Sequence, residues 1–125
     1  MADKRERKID PAAPRALARA VPMPEGLNQL ETRYAHHLTR RQFDGEILEW
    51  RAHAIQLQGA KRTWSRPDFL VTTAARGLEV HEVKGPHVWE DSRVKTKLMA
   101  SLWPEFQFVV VKETARGVFA LEYLP

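Results

Sequence analysis

The feature that most constrains the fold of this 125-residue chain is a strand, a helix and a second strand that follow one another between residues 77 and 112. Residues 77–84 have strand-like alternation, and Gly85-Pro86 ends them because proline cannot donate a ladder hydrogen bond. Helical spacing then runs from about Trp89 to Leu102. Residues 106–112 are a nearly unbroken apolar run, typical of a strand buried on both faces. The connection is long enough for a crossover, so we expect the two strands to be parallel, with a right-handed connection.

The rest of the chain supplies the other elements of a small domain. A helix is predicted over 27–43, with Asn28 as its cap and Asp44-Gly45 as its stop. Strands are predicted over 46–58 and 62–73, joined by a hairpin, and a last strand over Val118–Tyr123. This order predicts an α/β fold with a small mixed sheet flanked by helices. The core-facing stripe predicted for the second helix consists of Val88, Asp91, Lys95, Leu98, Met99 and Leu102.

Composition narrows the class of protein. The length fits one domain with one sizeable core. The absence of cysteine excludes disulfides, thiol catalysis and Cys-ligated zinc, so a metal ion would be held by oxygen or histidine. The apolar runs are far below the roughly 20 residues that span a bilayer, and no signal peptide is visible, so we expect a cytoplasmic protein.

The positive charge is concentrated at the amino terminus. The chain has 20 Lys and Arg residues and 16 acids, which give a net charge of +4. Residues 1–24 hold six of the basic residues and three of the acids, together with four of the eight prolines. We expect residues 1–24 to form a flexible basic arm and residues 25–125 to form the folded domain. Two roles for the arm are open: extra attraction to phosphate, or a solubilising or partner-docking tail.

Three acids lie where the periodicity calls for apolar side chains. Alternation places Glu82 and Lys84 in a core-facing row, and Asp68 follows Pro67 at the start of another strand. Glu31 lies within the apolar stripe of the first helix. Burying an uncompensated carboxylate costs several kcal/mol, and Lys84 can neutralise at most one of the three. A hard divalent cation such as Mg²⁺, which takes oxygen ligands, is the natural remaining partner.

Each of these signals also has a purely structural interpretation. Glu31 alone is typical of a solvated helix residue, and a Glu82–Lys84 pair is typical of a surface ion pair. The spacing of the five histidines (His36, His37, His53, His81 and His87) does not predict a zinc site, and His81 is expected to serve sheet packing or to lie on the surface. The tryptophans are expected to be core or interface anchors rather than base-stacking platforms, with Trp89 as the exception.

Together, Pro67-Asp68, Glu82-Val83-Lys84 and the preceding Glu31 resemble the signature of the PD-(D/E)XK, or restriction-endonuclease-like, nuclease superfamily. Over residues 28–108, with Lys95-x-Lys97 and Trp103-Pro104-Glu-Phe106 in addition, the chain looks like small phage-encoded nucleases related to Holliday-junction resolvases. The resemblance implies a restriction-endonuclease-like core, although such a core does not require the arm.

The resemblance also implies an activity and a site. The activity is Mg²⁺-dependent endonucleolytic hydrolysis of branched DNA by a homodimer, with Mn²⁺ as a substitute and the host cytoplasm as the setting. Asp68, Glu82 and the backbone carbonyl of Val83 are expected to bind the metal, and Glu31 a second metal or a coordinated water. Lys84 is expected to orient the attacking water. The expected DNA-binding residues are Lys95, Lys97, Arg93, Arg66 and Arg62.

Two other functions are left open by the residues. One is a nicking or end-processing nuclease with the same chemistry. The other is a non-catalytic nucleic-acid-binding or protein-binding module, which has no need of acids facing a phosphate.

Overall fold

In a computed structural model, which describes residues 24–59, 61–85 and 89–125, the chain is an α/β fold with a mixed five-stranded sheet. The helices are α1 (Gln29–Phe43) and α2 (Trp89–Leu102). The strands are β1 (Ile47–Ala52), β2 (Leu57–Gln58), β3 (Trp64–Ser65), β4 (Phe69–Thr73), β5 (Leu78–Lys84), β6 (Gln107–Ala115) and β7 (Val118–Tyr123). The sheet order is β1-β4-β5-β6-β7, and β2 pairs with β3 in a separate hairpin. The predicted arm lies outside the described residues, apart from Pro24.

Helix α1 begins at a reciprocal cap. The Asn28 side chain accepts from the Glu31 amide at 2.7 Å, and the Glu31 carboxylate accepts from the Asn28 amide at 3.0 Å. The helix ends at Phe43, where Gly45 follows with a φ of +81° that a side chain would strain. The predicted cap and stop are therefore confirmed, and the cap fixes the backbone that carries Glu31.

The parallel crossover is confirmed. Strands β5 and β6 pair in parallel, with Val80 opposite Phe108 and Glu82 opposite Val110. Residues 108–111 of β6 are buried throughout, because alternate side chains enter different cores on the two faces of the sheet. The core between α1 and the sheet consists of Tyr34, Ala35, Leu38, Ile47, Phe69, Val71, Val83, Val109 and Val111. Beneath α2 lie Leu57, Val80, Phe108, Val110 and Leu124.

The prediction of two long strands before β5 was wrong in one respect: in the structure each of them is interrupted. His53 has a φ of +49°, which ends β1, and Pro67 precedes β4 without an amide hydrogen to donate. The distal halves, β2 and β3, therefore leave the main sheet and form their own antiparallel hairpin. The proximal halves, β1 and β4, pair antiparallel within the sheet.

Helix α2 has the predicted bounds but presents a different face. Thr96 is buried, and Met99, Ala100 and Trp103 pack against the core, whereas Leu98 is 57% exposed. The predicted stripe is confirmed at Met99 and wrong at Leu98 and Leu102, which are exposed, while the side chains of Val88 and Asp91 lie outside the described residues. Two helical faces share Met99 and carry comparable apolar content, so periodicity alone did not select between them. Trp103 helps to select the observed face, since its Nε1 donates to the carbonyl of Gln58 at 2.9 Å. Among the described residues no helix is both long and apolar enough to cross a membrane.

Candidate active site

Asp68 is held at the start of β4 by backbone groups from both neighbouring strands. The His53 amide, just beyond β1, donates to the Asp68 carbonyl at 3.0 Å. The Val83 amide on β5 donates to Asp68 Oδ2 at 2.8 Å. Since Phe69 is paired with His81, the residue before Phe69 lies beside Glu82 at the same edge of the sheet. The sheet register therefore brings together Asp68 and Glu82, two of the acids that the periodicity placed where apolar side chains were expected.

Glu31 reaches Asp68 from α1 and brings a histidine with it. One Glu31 carboxylate oxygen caps the helix, and the other lies 3.4 Å from His53 Nε2. One ligand atom each from Glu31, His53 and Asp68 lie within 4.8 Å of one another. The Glu31 side chain is only 11% exposed. Glu82 lies beside this group. We call Glu31, His53, Asp68 and Glu82 the acid cluster, and its four residues come from four different segments of the chain.

Glu82 and Lys84 form the outer part of the site on β5. Lys84 Nζ lies 3.2 Å from Glu82 Oε2, and the lysine side chain remains 25% exposed. Both residues line a pocket of about 170 Å³ between the sheet, α2 and the β2–β3 hairpin, which Lys95 and Ser65 also line. Of the acid cluster only Glu82 lines this pocket, where its carboxylate meets two lysine ammonium groups, a charge pattern suited to an anion next to a cation.

Burial and mutual repulsion shape the protonation of the acid cluster. Burial, then the charge of Glu82, raises the pKa of Asp68 to about 8. Burial also raises the pKa of Glu82, although Lys84 opposes this shift. Burial tends to raise the pKa of Glu31 as well, but hydrogen bonds with Asp68, the Asn28 amide and His53 outweigh it, so that pKa is lowered. Asp68 therefore keeps a proton at neutral pH, shared with the Glu31 carboxylate.

The donor set fits a divalent cation. Carboxylate oxygens suit Mg²⁺ and Mn²⁺, and an imidazole is compatible with Mn²⁺ and other transition metals. The raised pKa of Asp68, beside the lowered pKa of Glu31, indicates that repulsion among the carboxylates favours the proton that these two acids share. A cation placed there could replace that proton. Glu31 and Asp68 are the predicted ligands within this close group.

Two other predicted ligands occupy different positions. Glu82 lies in hydrogen-bonding contact with Asp68, and its carboxylate also lies 3.2 Å from Lys84 Nζ. The amide of Val83 supports Asp68, and its side chain belongs to the core beneath α1. The role predicted for the Val83 carbonyl stays a prediction.

His53 is the site residue that sequence reasoning did not assign. The spacing of histidines along the chain reveals metal ligands only when they share one helix. His53 instead approaches Glu31 because its left-handed backbone ends β1 beside Asp68. The antiparallel pairing of β1 with β4 would have predicted that His53 lies beside Asp68. The register of that pairing could not be predicted because the β2–β3 hairpin is inserted between the two strands. His81, by contrast, is buried between Tyr34 Oη at 2.6 Å and Glu79 at 2.8 Å, which confirms a role in sheet packing.

The predicted DNA-binding residues fall into three groups. Lys95 lines the pocket, and Lys97 is exposed on the same helix. Arg93 instead makes a bidentate pair with Glu122 of β7, with both nitrogen–oxygen distances at 2.7 Å. Arg62 and Arg66 are exposed on and beside the β2–β3 hairpin.

Comparison of this chain with protein-family models, with curated proteins and with solved structures gives no match.

Proposed function

We propose that the protein is a metal-dependent endonuclease that hydrolyses phosphodiester bonds in DNA, of the PD-(D/E)XK type that its motifs resemble. The single observation that carries the proposal is the convergence of Glu31, Asp68 and Glu82 beside the Lys84 ammonium. Glu31 lies against Asp68 and Asp68 against Glu82, and a row of partly buried carboxylates of this kind reduces stability unless it binds a charged ligand. A pocket with Lys84 and Lys95 on its walls continues from that row.

In this proposal the residues divide the work of hydrolysis. Glu31, Asp68 and Glu82, with His53 beside them, hold a divalent cation, Mg²⁺ with Mn²⁺ as a substitute. Such a cation, when bound, offsets the charge that develops on the phosphate and makes water a better nucleophile. Lys95 attracts the phosphate from the opposite wall of the pocket.

Lys84 stands between the cluster and the pocket and orients the attacking water. The water oxygen forms a bond to phosphorus and gives up a proton to solvent, while the bond to the leaving oxygen breaks and that oxygen takes up a proton from solvent. Lys84 is suited to this place because its ammonium is held by Glu82 at 3.2 Å while the side chain still reaches solvent. An ammonium here stabilises negative charge on the attacking oxygen and on the phosphate.

We further propose branched DNA as the substrate and a homodimer as the acting form, so that two sites cut opposed strands. An apolar stripe on α2 supports a second copy as partner. Val94 is 67% exposed, Leu98 57% and Leu102 47%, and their spacing of four residues places them on one helix face. Such a continuous exposed stripe is typical of an interaction surface. A cytoplasmic setting is part of the same proposal.

A nicking or end-processing nuclease would use the same site. A non-catalytic binding module is disfavoured by the raised pKa of Asp68, because acids that repel one another beside a phosphate pocket weaken both folding and anion binding.

The test is cleavage of labelled DNA. The full chain is incubated with a four-way junction, a linear duplex or single strands, in Mg²⁺, Mn²⁺ or EDTA. We expect junction cutting that requires the metal and is lost in Asp68→Asn and Lys84→Ala, while both variants still bind the junction. Glu105→Gln, a change at an exposed acid, is the matched control and should cut normally. Binding without cutting in either metal would leave only the module, and preferred cutting of linear duplex would indicate the nicking or end-processing enzyme.

A further inference from the structure

The β2–β3 hairpin is fixed against the protein by its inner face. Leu57 is 4% exposed in the core beneath α2, and its cross-strand partner Ser65 lines the pocket beside Glu82 and Lys84. The Gln58 carbonyl accepts a hydrogen bond from Trp103 at 2.9 Å. The hairpin therefore holds a defined position at the mouth of the candidate active site.

Its outer face is aromatic and positively charged. Because successive strand residues point to opposite sides, Trp64 faces away from the core when Ser65 faces the pocket. Trp64 is 59% exposed, and Lys61, Arg62 and Arg66 around it are exposed as well. Within the part of the chain that the structure describes, none of these three cations has a carboxylate within ion-pair distance. This surface, Lys61 to Arg66, is complementary to a polyanion that carries flat apolar groups.

A nucleic acid strand has both properties. Cations attract its phosphates, and an exposed indole stacks on a base whose face is free. Trp64 immediately precedes the pocket-lining Ser65 on β3, so the two side chains lie on opposite faces of the same short hairpin. A strand that has one phosphate in the pocket and then passes over the hairpin would bring a nearby base to Trp64. Within a continuous duplex that base is covered by its stacked neighbours, so only an unpaired or unstacked base can be bound in this way.

We propose that the surface from Lys61 to Arg66 binds an unpaired nucleotide of the strand whose phosphate enters the pocket, with Trp64 stacked on its base. This inference rests on the proposed nuclease function and extends it. It makes the hairpin the feature that selects DNA with unpaired bases at the cleavage point, such as junctions, flaps or single strands.

The test separates binding from cutting. Binding of a fluorescein-labelled single-stranded oligonucleotide and of a blunt duplex of equal length is measured in EDTA by fluorescence anisotropy. Trp64→Ala should weaken single-strand binding by about 5- to 150-fold, the range found for loss of one stacked base. Trp64→Phe, which keeps an aromatic face, should restore most of it. Tyr123→Ala, at a residue 50% exposed on β7, is the matched control and should bind as the wild type does.

A second readout concerns the cations. Arg66→Ala should lower the slope of log affinity against log salt by about one phosphate contact, without changing the preference for single strands. If Trp64→Ala does not fold, Arg66→Ala and Trp64→Phe still test the inference.

The outcomes are distinguishable. Equal single-strand binding by wild type and Trp64→Ala would overturn the inference, whether or not the wild type cuts DNA in Mg²⁺. Binding that depends on Trp64 without any cutting would support the hairpin surface and overturn the nuclease. A shift of the sedimentation coefficient in Trp64→Ala, with unchanged DNA binding, would instead assign the hairpin to contact with a second copy and overturn the inference.

Discussion

Replacing Asp68 by asparagine should remove the proposed function and, at alkaline pH, stabilise the metal-free fold. Burial and the charge of Glu82 raise the pKa of Asp68 from 3.8 to about 8. The folded state therefore prefers the protonated acid. The stability that this group contributes is fully present below its unfolded pKa and is lost as pH rises through 8. Asparagine stays neutral at every pH, and its amide can still accept from Val83 and donate to Glu31.

The magnitude follows from the shift. Each pKa unit is about 1.36 kcal/mol, so the stability of Asp68→Asn relative to wild type should increase by at most about 4 kcal/mol between pH 5 and pH 8. Part of the site is open to water, which screens the repulsion, so we expect about 1–2 kcal/mol. For a domain of this size that corresponds to roughly 4–16 °C in the midpoint of thermal unfolding.

The assay is urea unfolding in EDTA, followed by circular dichroism at several pH values from 5 to 9. The Glu105→Gln control should show no pH-dependent difference from wild type. The reasoning is refuted if Asp68→Asn is less stable than wild type at pH 8, or if the stability difference between the two proteins does not change with pH.

Three further predictions concern the metal, the histidine and the dimer. Mg²⁺ should raise the midpoint of thermal unfolding of the wild type by more at pH 8.5 than at pH 6, because metal binding must displace the Asp68 proton; equal shifts would contradict this. His53→Ala should weaken Mn²⁺ binding more than Mg²⁺ binding in calorimetry, since imidazole favours the transition metal; equal losses would count against His53 as a ligand. Leu98→Glu should convert a dimer to a monomer in analytical ultracentrifugation, whereas Glu105→Gln should not; a wild-type monomer would refute the proposed pairing.

Local signals in the sequence predicted much of the fold. Asn28 and Glu31 form a cap from residues three positions apart, so the start of α1 depends on no distant contact. The crossover was predictable because Gly85-Pro86 and the apolar run of β6 bound a helix of the right length. The approach of Asp68 to Glu82 followed from alternation once β4 and β5 were paired as neighbouring strands.

The remaining features depend on tertiary contacts. The face of α2 that packs inward is selected by Trp103 and the hairpin, neither of which is visible in the helix periodicity. His53 joins the acid cluster because a left-handed residue ends β1, and histidine adopts that conformation without a sequence marker. Trp64 also differs from its prediction. The sequence predicted a core or interface anchor, but the interruption of the strands leaves Trp64 59% exposed.

The most direct test of the central claim is the anomalous scattering of Mn²⁺ in crystals of the wild-type protein. The account predicts a peak in contact with the Glu31 and Asp68 carboxylates, which is absent from crystals of Asp68→Asn grown in the same Mn²⁺ concentration. A peak bound elsewhere on the surface, or no peak at a Mn²⁺ concentration that supports DNA cutting, would contradict it.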